Sequence, residues 1–150
     1  MSLERKWLLL LLPVVLAASA SAAELPGRWL TEPGDGIIEI SQTADGSYQG
    51  RIIGGNAPGR VDAKNPDPAR RQRLLLGQVI LVGMRAEGPG SWSGGTIYDP
   101  DSGKTYKCHL EIIDADHLKV RGYIGVSLLG RSQTWTRYTG ASLDLSAAPH

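Results

Sequence analysis

Apolar and polar residues alternate along most of the chain after residue 24, in short runs separated by turn sequences. A two-residue period is typical of β-strands that bury one face. The runs predict eight strands, at 28–30, 37–42, 47–53, 77–84, 92–98, 104–113, 118–123 and 131–138. Asp45-Gly46 and the turn sequence 87–90 predict hairpins between neighbouring strands.

Eight antiparallel strands in sequential order can bury one face in two ways. They can curl into an up-and-down barrel, which leaves no sheet edge, or they can form a two-sheet sandwich. The chain has 19 glycines in 150 residues. This density favours the barrel, because strongly coiled strands bend and bulge where Gly is tolerated. The expected fold class is therefore an all-β, eight-stranded antiparallel up-and-down barrel.

One connection, from Gly54 to Leu75, is much longer than the others. Within it, Asp67 followed by Pro68 has the form of an N-cap and a Pro at N1, which predicts a short helical turn. Loops of more than about 15 residues are uncommon in compact domains and are often lids or binding loops. We expect this loop to lie over the mouth of a barrel.

The first 23 residues have the pattern of a removable export signal. Arg5 and Lys6 precede an apolar run at 7–16, and small residues follow at 18–23. Ten apolar residues are too few for a membrane span, which needs about 20, and no Cys follows that could accept a lipid. We expect residues 1–23 to be a signal peptide, 24–138 a barrel domain and 139–150 a flexible tail, in a periplasmic or secreted protein.

Charge and composition exclude several classes. After residue 23 the chain has equal numbers of basic and acidic residues, which argues against a broad nucleic-acid or anionic-membrane surface. His109, His117 and His150 have no metal-site spacing, and the single Cys108 cannot complete a sulfur site. Gly103-Lys104-Thr105 lacks the upstream Gly of a phosphate-binding loop, and no Gly-x-Ser-x-Gly is present. We expect no metal, no cofactor and no readable catalytic set.

The last predicted strand is the most informative. Arg131, Gln133, Trp135 and Arg137 share one of its faces, a set too polar for an ordinary core. Facing solvent, it is a charged sheet surface. Facing a lumen, its arginines need carboxylate, aromatic or ligand partners, because an unpaired buried charge costs several kcal/mol. Trp29 and Arg137 become neighbours only if the barrel closes, and an Arg over the Trp ring would then satisfy both.

Several stretches carry a resemblance to known families. Gly27-Arg28-Trp29 resembles the Gly-x-Trp of lipocalins, in which the Trp packs at the closed end of the barrel and an Arg crosses it; Arg137 is the candidate by position. A more specific resemblance, to the small exported bacterial family known as Domain of Unknown Function 2147, lies in four blocks in the same order, at 62–68, 94–106, 120–125 and 130–137. It implies a lipocalin-like (calycin) barrel in the periplasm or outside the cell, and brings no established activity.

The leading hypothesis is a binding module for a small amphipathic or anionic molecule. Ile80, Val82, Leu110 and Ile112 would line the lumen, and Arg121, Arg131 and Arg137 would meet a carboxylate or phosphate. The candidate ligand-binding residues are Asp62, Asn65, Tyr98, Asp99, Tyr106, Arg121, Tyr123, Arg131, Gln133 and Trp135, with Trp29 and Arg137 as structural closure.

Two alternatives stay open. The first is an envelope interaction protein that uses the basic segment 70–73 to contact an acidic partner. The second is an enzyme acting on a small ligand through Asp62 or Asp99 with Tyr98, Tyr106 or Arg121.

Overall fold

The structure, a computed structural model, describes residues 24–125 and 130–147. The predicted signal peptide at 1–23 lies outside the described residues, as do 126–129 and 148–150. Eight strands are present in the described ranges: β1 Gly27–Leu30, β2 Gly36–Gln42, β3 Tyr48–Gly55, β4 Val79–Gly88, β5 Ser91–Asp99, β6 Lys104–Asp114, β7 His117–Tyr123 and β8 Gly130–Arg137. A 3-10 helix, Pro68–Arg70, begins after Asp67, whose side chain accepts a hydrogen bond from the Ala69 N–H. The predicted helical turn is therefore confirmed.

The strands form one closed antiparallel barrel in sequential order. Each strand pairs with its neighbours in the chain, and β8 pairs with β1 through Trp29 opposite Arg137 and Leu30 opposite Thr136. The up-and-down barrel is confirmed, and the two-sheet sandwich is wrong. Closure gives every strand two hydrogen-bonded neighbours, so no edge is left to template pairing with another chain.

Apolar side chains fill the part of the barrel interior that lies next to the start of β1. The buried core includes Trp29, Leu81, Leu110 and Leu118, each with no exposed surface. Leu25 also belongs to it, so the segment just before β1 packs into the barrel. With no Phe in the sequence, Trp29, Trp92 and Trp135 supply the largest rings of this core.

Strand β4 departs from the alternation that its sequence predicts. Gly50 and Arg51 of β3 pair with Leu81 and Val79, so one residue of β4 is extra, and both Ile80 and Leu81 are buried. A second shift follows next to Gly83, at φ 72°, and bulges of this kind re-aim the side chains beyond them. Val82 is consequently 51% exposed on the outer wall. The prediction that Val82 lines the lumen is wrong.

The two ends of the barrel differ. At one end, which we call the closed end, tight turns at 43–47, 89–90 and 115–116 lie beside residues 24–26. At the other end, the mouth, lie the turns after β1, β5 and β7 and the long loop 56–78. Residues 139–147, part of the predicted flexible tail, run back from β8 to the mouth. There the Gly55 N–H donates to Leu143 O, and the Leu145 N–H donates to Gly55 O.

Candidate functional site

A cavity of about 670 Å³ opens at the mouth of the barrel. Its floor is apolar and is formed by Ile38, Ile52, Ile80, Ile97, Val120 and Trp135. Of the four residues predicted to line the lumen, only Ile80 does so. Leu110 is fully buried in the packed core, and Ile112 packs against that core from nearer the closed end. Because the interior next to the closed end is filled, the cavity occupies only the part of the barrel next to the mouth.

The polar face of β8 lies inside the barrel. Arg131, Gln133 and Trp135 line the cavity, opposite the inward residues Val120 and Gly122 of β7. The Trp135 Nε1–H donates to Gln133 Oε1 at 3.0 Å, which satisfies the indole at the cavity floor. The Arg131 side chain makes no hydrogen bond or ion pair with any other residue in the part of the chain that the structure describes. Its guanidinium is therefore a cation at the mouth that can accept an anionic partner.

Other polar groups of the rim are engaged with one another. The Asp99 carboxylate accepts hydrogen bonds from the Asp101 N–H at 2.9 Å and from Ser102 Oγ at 2.7 Å. Arg60 forms an ion pair with Asp101 at 2.7 Å. Tyr106 and Tyr123 also line the cavity, and their hydroxyls can donate to a bound oxygen. The turn 99–103 thus forms a pre-ordered wall of the mouth.

Asp62 and Asn65 are buried beneath the long loop and do not line the cavity. The Tyr98 hydroxyl donates to Asp62 Oδ1 at 2.6 Å, and Asn65 Nδ2 donates to Asp62 Oδ2 at 2.7 Å. Burial, reinforced by the hydrogen bond to Asp62, raises the pKa of Tyr98 to about 12. These contacts fasten the loop 56–78 to β5, so Asp62 and Asn65 hold the mouth in shape. Neither side chain is exposed to the cavity, and their role as ligand contacts stays a prediction.

A second contact fastens the same loop. Gly103 has φ +70°, and a Cβ at this position would come within 2.0 Å of Lys64 O. Only Gly combines this backbone conformation with so close an approach. Two of the blocks quoted above, 62–68 and 94–106, therefore meet each other in space at the mouth.

Arg121 lies on the outer wall, where Nη1 donates to Ser132 Oγ at 3.0 Å. It does not line the cavity, because its neighbours Leu118 and Val120 take the inward positions of β7. Asp99 lines the cavity, whereas Arg121 faces away from it. In the basic segment, Arg70 forms an ion pair with Asp67 at 3.4 Å, and Arg71 Nε donates to Asn65 O at 2.9 Å.

Trp29 and Arg137 lie together at the closed end. The Arg137 guanidinium carbon lies 4.1 Å from the centroid of the Trp29 ring. Its nitrogens donate to Ala115 O and Glu24 O, each at 2.8 Å, and to Pro26 O at 3.4 Å. The Trp29 Nε1–H donates to Leu25 O at 3.0 Å. One side chain of β8 thereby ties together β1, the segment before it and the turn after β6.

Several residues that line the cavity are not predicted from the sequence. Ile38 and Ile97 form the floor, and Arg60, Leu76 and Ile124 stand at the rim. The alternation of Ile38 with Ile40 was a readable signal for an inward face. The rim residues lie in loops, and no period identifies them.

Cys108 is fully buried, and burial raises the pKa of its thiol to about 12. Within 24–125 and 130–147, no three His, Cys, Asp or Glu side chains come together as metal ligands would. Over the same ranges, no helix is long and apolar enough to cross a membrane.

Comparison with known proteins agrees with this architecture. A similar solved structure is protein HP1028 from the human pathogen Helicobacter pylori, described as belonging to the lipocalin family. It has 25% sequence identity and a TM-score of 0.71, and the match covers 78% of this chain and 84% of that chain. No curated protein matches the sequence. A family model described as "Uncharacterized protein conserved in bacteria (DUF2147)" matches residues 27–137, the whole span of the barrel strands. The chain therefore belongs to this family, and its fold is a lipocalin-like barrel.

Proposed function

We propose that the protein binds a small amphipathic anion in its barrel, within the bacterial cell envelope. The observation that carries the proposal is a cavity of about 670 Å³ with an apolar floor and, at its mouth, the guanidinium of Arg131, which has no partner among the residues that the structure describes. Cavities of about 300–1,000 Å³ are typical of sites for small molecules.

The distribution of lining groups sets the orientation of the ligand. Its apolar part packs on Ile38, Ile97 and Trp135, where burial of apolar surface stabilises it. Its carboxylate or phosphate meets Arg131, since a charged hydrogen bond of this kind is among the stronger ones. The export signal expected at 1–23 supports the envelope location, and the lipocalin-like fold supports a ligand in the barrel.

Quenching of tryptophan fluorescence tests the proposal directly. A bromine-labelled dodecanoate bound on the cavity floor would quench Trp135, whereas Trp29 and Trp92 are not among the lining residues. We expect saturable quenching that is largely lost in Trp135→Phe. Brominated dodecanol is the matched probe without charge, and it should bind at least about tenfold more weakly. Equal affinity for both probes would show that binding does not depend on a negative charge of the ligand. Absence of quenching would overturn the proposal that the barrel binds a ligand.

The native ligand can be sought in parallel by mass spectrometry of an organic extract of the protein purified from its own envelope. A recurrent amphipathic anion in the wild-type extract, depleted in Arg131→Gln, supports the proposal. Extracts that consistently lack any such compound contradict it.

A further inference from the structure

Exposed apolar side chains are concentrated at the mouth. Five large hydrophobic residues of the described chain are exposed: Leu74, Leu76, Val82, Ile113 and Ile124. Leu74 and Leu76 belong to the long loop, and Ile124 follows β7. Leu76 and Ile124 also line the cavity, so apolar surface continues from the rim into its interior. Clustered exposed apolar groups of this kind mark an interaction site.

The same loop has a local excess of positive charge. Residues 56–78 contain five basic and two acidic side chains, and one of the acids, Asp62, is buried. Arg60 and Arg70 pair with Asp101 and Asp67. Arg73, directly before Leu74, makes no side-chain hydrogen bond or ion pair within the described ranges. The net charge of the chain after residue 23 is zero, yet this loop is basic.

We propose that the mouth docks on an anionic phospholipid surface, with Leu74, Leu76 and Ile124 entering the interface and the arginines of 70–73 meeting lipid phosphates. Apolar tips flanked by guanidinium groups are complementary to a bilayer that has a negative surface above a hydrocarbon layer. A bilayer fits better than an acidic protein, because the apolar rim leads into an apolar cavity. A docked mouth would take its amphipathic ligand from the membrane. This role of the docking rests on the proposed function, whereas the observations that support docking do not depend on it.

Vesicle flotation with the protein in its exported form provides the test. We expect binding to vesicles of phosphatidylglycerol and phosphatidylcholine at least about tenfold tighter than to phosphatidylcholine alone. Raising the salt concentration from 0.05 to 0.5 M should weaken it, because screening acts on exposed charges. Equal binding to both vesicle types, or no binding to either, would overturn the proposal.

Matched variants locate the docking surface. Leu74→Ser should lower vesicle affinity about tenfold, the loss expected when one Leu side chain no longer enters an apolar phase. Val82→Ser is the control, since Leu74 and Val82 are both 51% exposed and Val82 lies on the barrel wall. The double variant Arg70→Gln, Arg73→Gln should lower vesicle affinity at least about tenfold. Its control is the double variant Lys107→Gln, Lys119→Gln, which removes the same charge from the barrel wall and should leave vesicle affinity nearly unchanged. A control that loses as much as its partner variant contradicts docking through the mouth.

Ligand binding is measured on the same variants in vesicle-free solution. The four variants should quench with brominated dodecanoate as the wild type does, because none of the replaced residues lines the cavity. Vesicle binding without quenching would support the docking surface and contradict the proposed ligand binding. Specific capture of an acidic protein by the arginines of 70–73, without vesicle binding, would replace the membrane with a protein partner.

Discussion

Arg131 and Arg137 lie on the same face of the same strand, yet their surroundings are opposite. Arg137, at the closed end, lies over Trp29 and donates to three backbone carbonyls. Arg131, at the mouth, lines an open cavity, and its side chain has no hydrogen-bond or ion-pair partner among the described residues. The position along β8 therefore decides whether the side chain of an inward arginine bonds to the protein or faces an open cavity.

The same division holds for the two ends as a whole. Trp29 and Leu25 are packed into the closed end with no exposed surface. The mouth keeps an unfilled volume, and its wall is held by contacts between loops, such as Tyr98 with Asp62. The packed core and the proposed ligand site thus lie at opposite ends of one barrel, and mutations should separate stability from ligand binding.

The largest effect is expected at the closed end, from Trp29→Ala. Removal of a fully buried indole leaves a cavity and an unstacked guanidinium, and should lower the free energy of unfolding by about 3–5 kcal/mol. Urea denaturation monitored by circular dichroism measures it. A loss below about 1 kcal/mol would mean that the closed end does not stabilise the barrel.

Arg137→Gln and Arg131→Gln form the direct comparison. The first removes a cation–π contact and several charged hydrogen bonds, and should lower the free energy of unfolding by about 2–3 kcal/mol. The second should change it by no more than about 0.5 kcal/mol, but should lower the affinity for dodecanoate at least about tenfold. Urea denaturation gives the free energy of unfolding of each variant, and fluorescence titration gives its affinity for dodecanoate. Similar values for the two variants would break the division between the ends.

Alkaline pH should act on the packed interior through Cys108. Burial raises the pKa of its thiol from 9.0 to about 12, so the folded state retains a proton that the unfolded state loses. The resulting stabilisation is complete below pH 9 and is lost as pH rises towards 12, by about 1–2 kcal/mol at pH 10.5. Urea unfolding at pH 8 and 10.5 should show a smaller decrease for Cys108→Ala than for the wild type. Parallel decreases would show that the thiol contributes nothing to this pH dependence.

The smallest effect is a local one at the mouth. Tyr98→Phe removes the hydroxyl that donates to Asp62 and should loosen the loop 56–78 by about 1–1.5 kcal/mol. Trypsin cleavage after Arg70, Arg71 or Arg73 should then be about five to ten times faster, while the global unfolding midpoint changes little. Tyr106→Phe is the control, since its hydroxyl makes only a 3.5 Å contact with Ser102. Equal cleavage of both variants would show that Tyr98 does not hold the loop.

The sequence was sufficient for the strands and hairpins because both depend on local signals, whereas closure was only favoured over a sandwich, by glycine density and the family resemblance. Alternation marks the strands, and turn residues such as Asp45-Gly46 mark the hairpins. It was also sufficient to place Arg131, Gln133, Trp135 and Arg137 on one face. It could not decide whether that face points inward, since the choice depends on the pairing of β8 with β1 and β7.

Two features of the candidate site have non-local causes. Val82 leaves the lumen because a bulge against β3 resets the alternation of β4, and a bulge depends on the neighbouring strand. Asp62 and Asn65, which belong to the block 62–68 that carries the family resemblance, do not line the cavity. Here they are buried under their own loop and bonded to each other, an arrangement that no spacing in the chain reveals.

Barrel closure constrains how the protein is made. Trp29 pairs with Arg137, so the final seam joins the first and last strands of the domain. Nearly the whole domain must emerge before this contact can form, and contacts between such distant residues form slowly. Until then β1 and the most recently emerged strand remain open edges, exposed to pairing with other chains. Another copy that meets these edges before the last strand arrives can pair with them in its place.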